Sequence, residues 1–443
     1  MRSTTMMMSA VCCALLAMTM TGCGASSTLT DVGSASTSLT ADADAVIESA
    51  ADTQDTETSA AAEAVTAAYT VNTTGILDTS SIMTERDLTQ TADLTDAQYL
   101  TVSDGSTLSV TEAGVYVISG SATDCTIRVE APEDAKVQLV LDGVTVENAD
   151  FPVIYVISAD KVFVTTTDTE NTLSVTGSFT SDGETNTDAV IFSKEDLVLN
   201  GTGTLRIYSA CGNGITSKDD LKVTGGTYEI TSALDALEAN DLAAVTGGSF
   251  TIVSGKDGIH AENDEGEGNV WIAGGSFTIQ AESDGIQATA VLQIDGGTLT
   301  LDAAEGLEST YVQIGGGTIH ITASDDGINA AAKTTGTDVV IEINGGEITI
   351  DMAQGDTDAL DANGSIYVNG GTIDITAPTS SFDYDQSAEF NGGTIIINGE
   401  EVTEIPQDMM GGGMMGGGFG GRGGFGGQNG QGGNFSGRGG RMM

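Results

Sequence analysis

Asp257-Gly-Ile-His-Ala, Asp284-Gly-Ile-Gln-Ala and Asp326-Gly-Ile-Asn-Ala repeat one short phrase, and variants of it open at Asn213, Asp235, Glu305 and Asp358. Where nothing is inserted the copies lie 21 or 22 residues apart. That is too short for a helical hairpin repeat and is the length of one turn of a β-solenoid. Each phrase is followed by a strand, a Gly-Gly pair and a second strand in strict alternation, as in Ser249-Phe-Thr-Ile and Thr298-Leu-Thr-Leu. Alternation with period two means one buried face. Stacked coil on coil, these strands predict an inward column of Tyr228, Phe250, Phe277, Leu299, Ile319, Ile348, Ile373 and Ile395, and a second column two residues on, from Ile230 to Ile397. The glycine pair lets the backbone turn the corner between strands. With the short strand that carries the phrase itself, each copy supplies three strands and three corners. The fold class is all-β, a parallel β-helix.

Degraded copies extend upstream through Leu139-Val-Leu-Asp-Gly-Val and Gly114-Val-Tyr-Val-Ile-Ser, so the coiled domain is expected over 88–402. Such a chain buries a continuous apolar column without needing disulfides. Two inserts, Glu262 to Asn269 and Lys333 to Asp338, break the period and are expected as protruding loops. Residues 1–23 read as a lipoprotein signal peptide: Arg2, an apolar run from Ala10 to Met20, then Thr21-Gly-Cys, with Cys23 as the lipidated first mature residue. An ordinary secretory signal is the alternative. Residues 24–87, rich in Ala, Ser, Thr, Asp and Glu, read as a disordered acidic stalk. Residues 403–443 read as a disordered Gly/Met-rich tail, with 18 Gly among the 33 residues from Gly411. This organisation predicts a monomer, lipid-anchored on the extracellular face of a bacterial cell membrane.

The 64 acidic and 14 basic residues give a net charge of −50, which argues against nucleic acid as a partner, because phosphates demand a basic surface. Cys125 and Cys211 show no metal-ligand spacing. They are expected as two separately buried thiols, with a disulfide as the alternative.

Coiling turns remote acids into neighbours. The first position of the phrase reads Asp188, Asn213, Asp235, Asp257, Asp284, Glu305, Asp326, Asp358. The fourth reads Ile191, Thr216, Glu238, His260, Gln287, Glu308, Asn329, Asp361, with Asp383 in the last copy. Like charges one coil apart, at ~4.8 Å, repel by about 3.5 kcal/mol at an effective dielectric near 20. A column of them must therefore be solvated, protonated or bridged by cations. Calcium takes six to eight oxygen ligands, and the lack of clustered His or Cys favours it over zinc or copper. The candidate calcium ligands are Asp235, Glu238, Asp257, Asp284, Glu305, Glu308, Asp326, Asp358, Asp361 and Asp383. A corner aspartate can equally serve to cap backbone N–H groups.

The words Ala189-Val-Ile-Phe-Ser-Lys-Glu-Asp-Leu-Val-Leu-Asn-Gly-Thr-Gly-Thr-Leu and Asn213-Gly-Ile-Thr-Ser-Lys-Asp-Asp-Leu-Lys-Val-Thr-Gly-Gly-Thr resemble the clostridial carbohydrate-binding β-helix family over about 88–402. The resemblance implies a right-handed β-helix that binds calcium and acidic polysaccharides such as polygalacturonate, with a shape like calcium-dependent pectate lyases. One departure is plain. The family has a basic Asp-Asp-Gly-Ile-Arg-Gly-Lys-Asp where this chain reads Leu234-Asp-Ala-Leu-Glu-Ala-Asn-Asp, so the basic residues for direct pairing with a sugar carboxylate are lost at that coil.

The function expected is calcium-mediated binding of an acidic, polygalacturonate-like polysaccharide, with Trp271, His260 and Lys218 as candidate sugar contacts. A polyuronate lyase is the alternative. It would need calcium and a basic side chain to remove a proton beside the uronate carboxylate, and Lys194 and Lys218 are the candidate bases, unless they pair with neighbouring acids. A structural surface spacer is the third reading.

Overall fold

The computed structural model describes residues 74–406, apart from Asp264 and Asp356. The residues read above as a signal peptide with Cys23, as a stalk up to residue 73 and as a tail beyond residue 406 lie outside the described residues. The described residues belong to a unit that begins at Ala62.

The alternation read from the sequence forms a parallel β-solenoid of about 12 turns, with almost no helix. Its strands fall into three ladders. The first holds the strands before each Gly-Gly, such as Leu221–Val223, Asn269–Ile272 and Val291–Ile294. The second holds those after it, such as Thr227–Ser232, Ser249–Ser254 and Ser276–Ala281. These two belong to one 24-stranded sheet, because the long strands Gly114–Thr123 and Lys136–Asn148 run from one ladder into the other. The third ladder is a separate sheet of 12 strands that carries the Asp-Gly phrase, from Thr107–Val110 to Ser380–Tyr384. Every pairing between named strands is parallel except that of Glu400–Val402, which folds back on Thr394–Ile397.

Both inward columns form as expected. Tyr228 pairs with Phe250, Phe250 with Phe277, Phe277 with Leu299 and Leu299 with Ile319. The Phe250 and Phe277 rings stack 4.6 Å apart and nearly parallel. A single apolar cluster runs from Val102 to Ile395. The second glycine of each pair takes a left-handed conformation, for instance Gly248 at φ 107°. A Cβ there would lie 3.2 Å from the Phe250 ring and 3.3 Å from the Gly226 carbonyl, so only glycine turns this corner without strain.

Three sequence expectations need correction. The packed unit includes residues 74–87, assigned above to the stalk. Leu77, Ile82, Met83 and Leu88 pack on Ala244 and Trp271 on the outer face of the first ladder, and buried Asp87 meets Lys161 at 3.4 Å. A polar composition hid these few apolar residues. Cys211 is exposed rather than buried, and both it and buried Cys125 are free thiols. The copy near Asp188 is offset by one, because Asn213 pairs with Ala189 and Thr216 with Phe192. A third insert, 176–188, precedes that copy and blurs its register.

Candidate functional site

The third ladder fixes the outward column at the fourth position of the phrase. Pairing runs Thr216, Glu238, His260, Gln287, Glu308, Asn329, Asp361, Asp383, each residue beside the next. Only Ile191 is misplaced, and Phe192 holds its position. First positions also stack, with Asp284 beside Glu305 and Asp326 beside Asp358.

First-position side chains divide their two oxygens between two tasks. One oxygen caps the next coil. The Oδ1 atoms of Asn213, Asp235, Asp257 and Asp326 accept from the backbone N–H of Asp235, Asp257, Asp284 and Asp358, at 3.0–3.1 Å. Capping and ligation are thus not alternatives, since the second oxygen remains for the outer face.

There Glu238, His260, Glu308, Asn329 and Asp361 lean back to the first position of the coil before, whereas the Gln287 amide donates to Asp284 of its own coil at 2.6 Å and to Glu308 of the next. Some of these pairs are compatible. The Asn213 amide donates to Glu238, His260 Nδ1 lies 3.2 Å from Asp235 Oδ2, and Asn329 Nδ2 donates to Glu305 at 3.0 Å. Others bring like charges together, as with Glu308 against Asp284 and Asp361 against Asp326.

Two nests of three ligand atoms result, each with all atoms within 4.8 Å: Asp235, Asp257, His260 and, two coils on, Asp284, Glu305, Glu308. They share one register but differ in charge compensation. In the first, Lys256 Nζ lies 3.1 Å from Asp235 Oδ2 and 3.2 Å from Asp257 Oδ2. Burial opposes ionisation of Asp235, but the hydrogen bond and charge of His260 and the charge of Lys256 outweigh it, so its carboxyl titrates below the usual range.

In the second nest Lys333 Nζ, from the later insert, bonds only Glu308, at 2.6 Å. Burial, then the charges of Asp257, Glu308 and Glu305, push Asp284 up to about 8. Burial and Glu308 push Glu305 to about 7. Downstream, burial and neighbouring aspartates raise Asp361 to about 7 and Asp326 to about 6. Asn329 Oδ1 is buried with no hydrogen-bond partner. Buried oxygen donors in mutual repulsion, with an orphaned carbonyl oxygen one coil away, fit a hard divalent cation. A third acidic group, Asp196, Asp219 and Asp220, is bordered by Lys161 and Lys222, at 3.4 and 2.9 Å from Asp196 and Asp220.

The other candidates fare unevenly. Lys218 directly follows the ladder strand Asn213–Ser217 and binds Glu238 at 3.0 Å, so Glu238 faces Asn213, Thr216 and Lys218 rather than Asp235. Lys194 is half-buried at the corner after Ala189–Ser193. The two inserts meet each other, since a Cβ on Gly266 would lie 2.3 Å from Thr334 Oγ1. Lys256 was overlooked; its signal is a lysine directly before the phrase in a chain with few basic residues.

Trp271 is not a sugar platform. It points out of the coil, as its alternation requires, but it is fully buried beneath residues 77–88 on a different ladder, with Nε1 donating to Asp295 at 2.8 Å. Trp271→Ala is expected to cost about 3–5 kcal/mol in denaturant unfolding and to leave glycan binding by the folded protein unchanged.

A protein of Acetivibrio thermocellus described as a carbohydrate-binding domain-containing protein is 33% identical over 136 residues, 30% of this chain and 46% of that protein. The chain thus spans about half the length of the curated relative it matches. A solved structure of a polysaccharide lyase-like protein from C. thermocellum, a gadolinium derivative, is 28% identical, with a TM-score of 0.43 over 50% of this chain and 93% of that one. The sequence model of the carbohydrate-binding domain-containing proteins matches residues 104–357 and 305–401, and this chain belongs to that family.

Proposed function

We propose that this protein binds an acidic polysaccharide of the polygalacturonate type through calcium held on the third ladder. The observation that carries this reading is the nest of Asp284, Glu305 and Glu308, whose ligand atoms lie within 4.8 Å of one another and in which burial and neighbouring charge raise the carboxyls of Asp284 and Glu305. Asp326, Asp358, Asp361 and Asp383 continue the same columns. Calcium supplies a bridge between carboxylates of the protein and of a uronate, which two anions otherwise lack. Family membership supports the carbohydrate partner. The column of carboxylates supports the acidic type, since a cation held there can also bind a uronate carboxylate. We further propose that Cys23 carries a lipid that holds the protein at the cell surface.

Three lysines of this face are ion-paired with carboxylates. Lys218 meets Glu238, Lys256 meets Asp235 and Asp257, and Lys333 meets Glu308. An ammonium cannot take a proton, which favours binding over lyase chemistry. The test is retention on immobilised polygalacturonate with calcium and with chelator, monitored in parallel for unsaturated uronate products. Expected are retention with calcium, loss with chelator and no product. Retention unchanged by chelator overturns the calcium reading, and product formation overturns non-catalytic binding.

A further inference from the structure

Lys256 occupies an unusual place. Its Nζ lies 3.1 Å from Asp235 Oδ2, 3.2 Å from Asp257 Oδ2 and 3.3 Å from His260 Nδ1, and His260 Nδ1 lies 3.2 and 3.6 Å from those two oxygens. The ammonium therefore sits among the three ligand atoms, where a metal ion would sit. Its partners are buried, with Asp257 only 1% exposed. Asp257 Oδ2 is buried without a hydrogen bond, so the ammonium charge is what compensates it. The Lys256 side chain itself is 44% exposed, so it reaches the nest from the solvent side.

Donor chemistry separates this nest from the one two coils on. The Asp284 nest offers oxygen alone. Here one donor is an imidazole nitrogen, and a set of one imidazole and two carboxylates suits zinc-class ions better than calcium. A chain with 64 acidic residues and two histidines would concentrate such ions at the place where nitrogen and carboxylates converge.

We infer that Lys256 is a tethered counter-ion that fills a latent transition-metal site and keeps zinc-class ions out of the ladder. Lys256→Met keeps the length of the side chain and removes its charge, which opens the Asp235, Asp257, His260 nest to a divalent ion. The inference stands whether or not calcium binds at Asp284, because its readout is a different residue.

The two histidines, His260 and His320, lie in different ladders, and His320 is on the outer face of the second. The full chain labelled with ¹⁵N-histidine therefore gives two assignable imidazoles, with His320 as internal reference. Zinc chloride is titrated in calcium-free buffer. In the wild type His260 is expected to stay unmoved at one equivalent. In Lys256→Met it is expected to shift at one equivalent, with zinc affinity at that site at least about 100-fold tighter, and His260→Ala in that background abolishes the gain. Lys256→Gln is the second variant and carries the same expectation. A wild-type His260 that shifts at one equivalent overturns the inference, because Lys256 then excludes nothing. So does a folded Lys256→Met or Lys256→Gln protein whose His260 ignores zinc.

Discussion

Glu305→Gln together with Glu308→Gln is expected to lower calcium-dependent affinity for polygalacturonate by at least ~100-fold, while the metal-free protein at pH 8 melts no lower than the wild type. The two effects have opposite signs for one reason. Glu305 and Glu308 lie against Asp284, and after burial and the charge of Asp257 their charges raise its carboxyl above the usual range. Neutral amides of the same shape remove that repulsion and give Asp284 hydrogen-bond donors. The lost ion pair between Glu308 and Lys333 is partly solvated and costs about 0–1 kcal/mol. The amides cannot supply the anionic oxygens that a hard cation needs. Affinity measured on immobilised glycan and melting by calorimetry together separate loss of a site from loss of fold. Undiminished binding by the folded double variant would remove Glu305 and Glu308 from the site.

Metal-free protein is expected to lose stability as pH rises from 5 to 8, the reverse of ordinary acid denaturation. Asp284, Glu305, Asp361 and Asp326 titrate in the folded protein at about 8, 7, 7 and 6, from ordinary values of 3.8 to 4.5. Below about pH 4 both folded and unfolded chains hold these protons, and the full stabilisation is present. Between about pH 4 and pH 8 the folded state keeps protons that the unfolded chain has released, so stability falls until the last group ionises and is flat beyond. A fall of roughly 5 °C in melting temperature across pH 5 to 8 is expected, allowing for partial solvent screening. Calcium binds the ionised form. It should therefore raise the melting temperature strongly at pH 8 and little at pH 5, with protons released on binding. A metal-free melting temperature that climbs steadily from pH 5 to 8 would mean that these carboxyls are not in one another's field.

The repeat made the solenoid legible because a coil is a local device: period, alternation and glycine pair recur in each copy. Register between coils was legible wherever the phrase itself was intact, which is why Glu238, His260, Gln287 and Glu308 stack as read. It failed beside Asp188, where insert 176–188 shifts the count by one. The division of labour within each first-position side chain was not legible, since a sequence gives a carboxylate but not which oxygen turns toward the backbone. Nor was the fate of Trp271. Its outward alternation was correct, but whether an outward face meets water depends on what lies over it. Leu77, Ile82, Met83 and Leu88 cover it from about 200 residues upstream in the sequence. Long-range packing by a few apolar residues inside a polar segment leaves no periodic trace. Lys256 and Lys333 were legible as rare cations but not as partners of particular acids, because each reaches across a corner.

The direct test is an anomalous difference map from crystals soaked in calcium chloride at pH 8. A peak enclosed by Asp284, Glu305 and Glu308 is expected. A map with no peak there, and with those three side chains hydrogen-bonded to one another as acids, would contradict it.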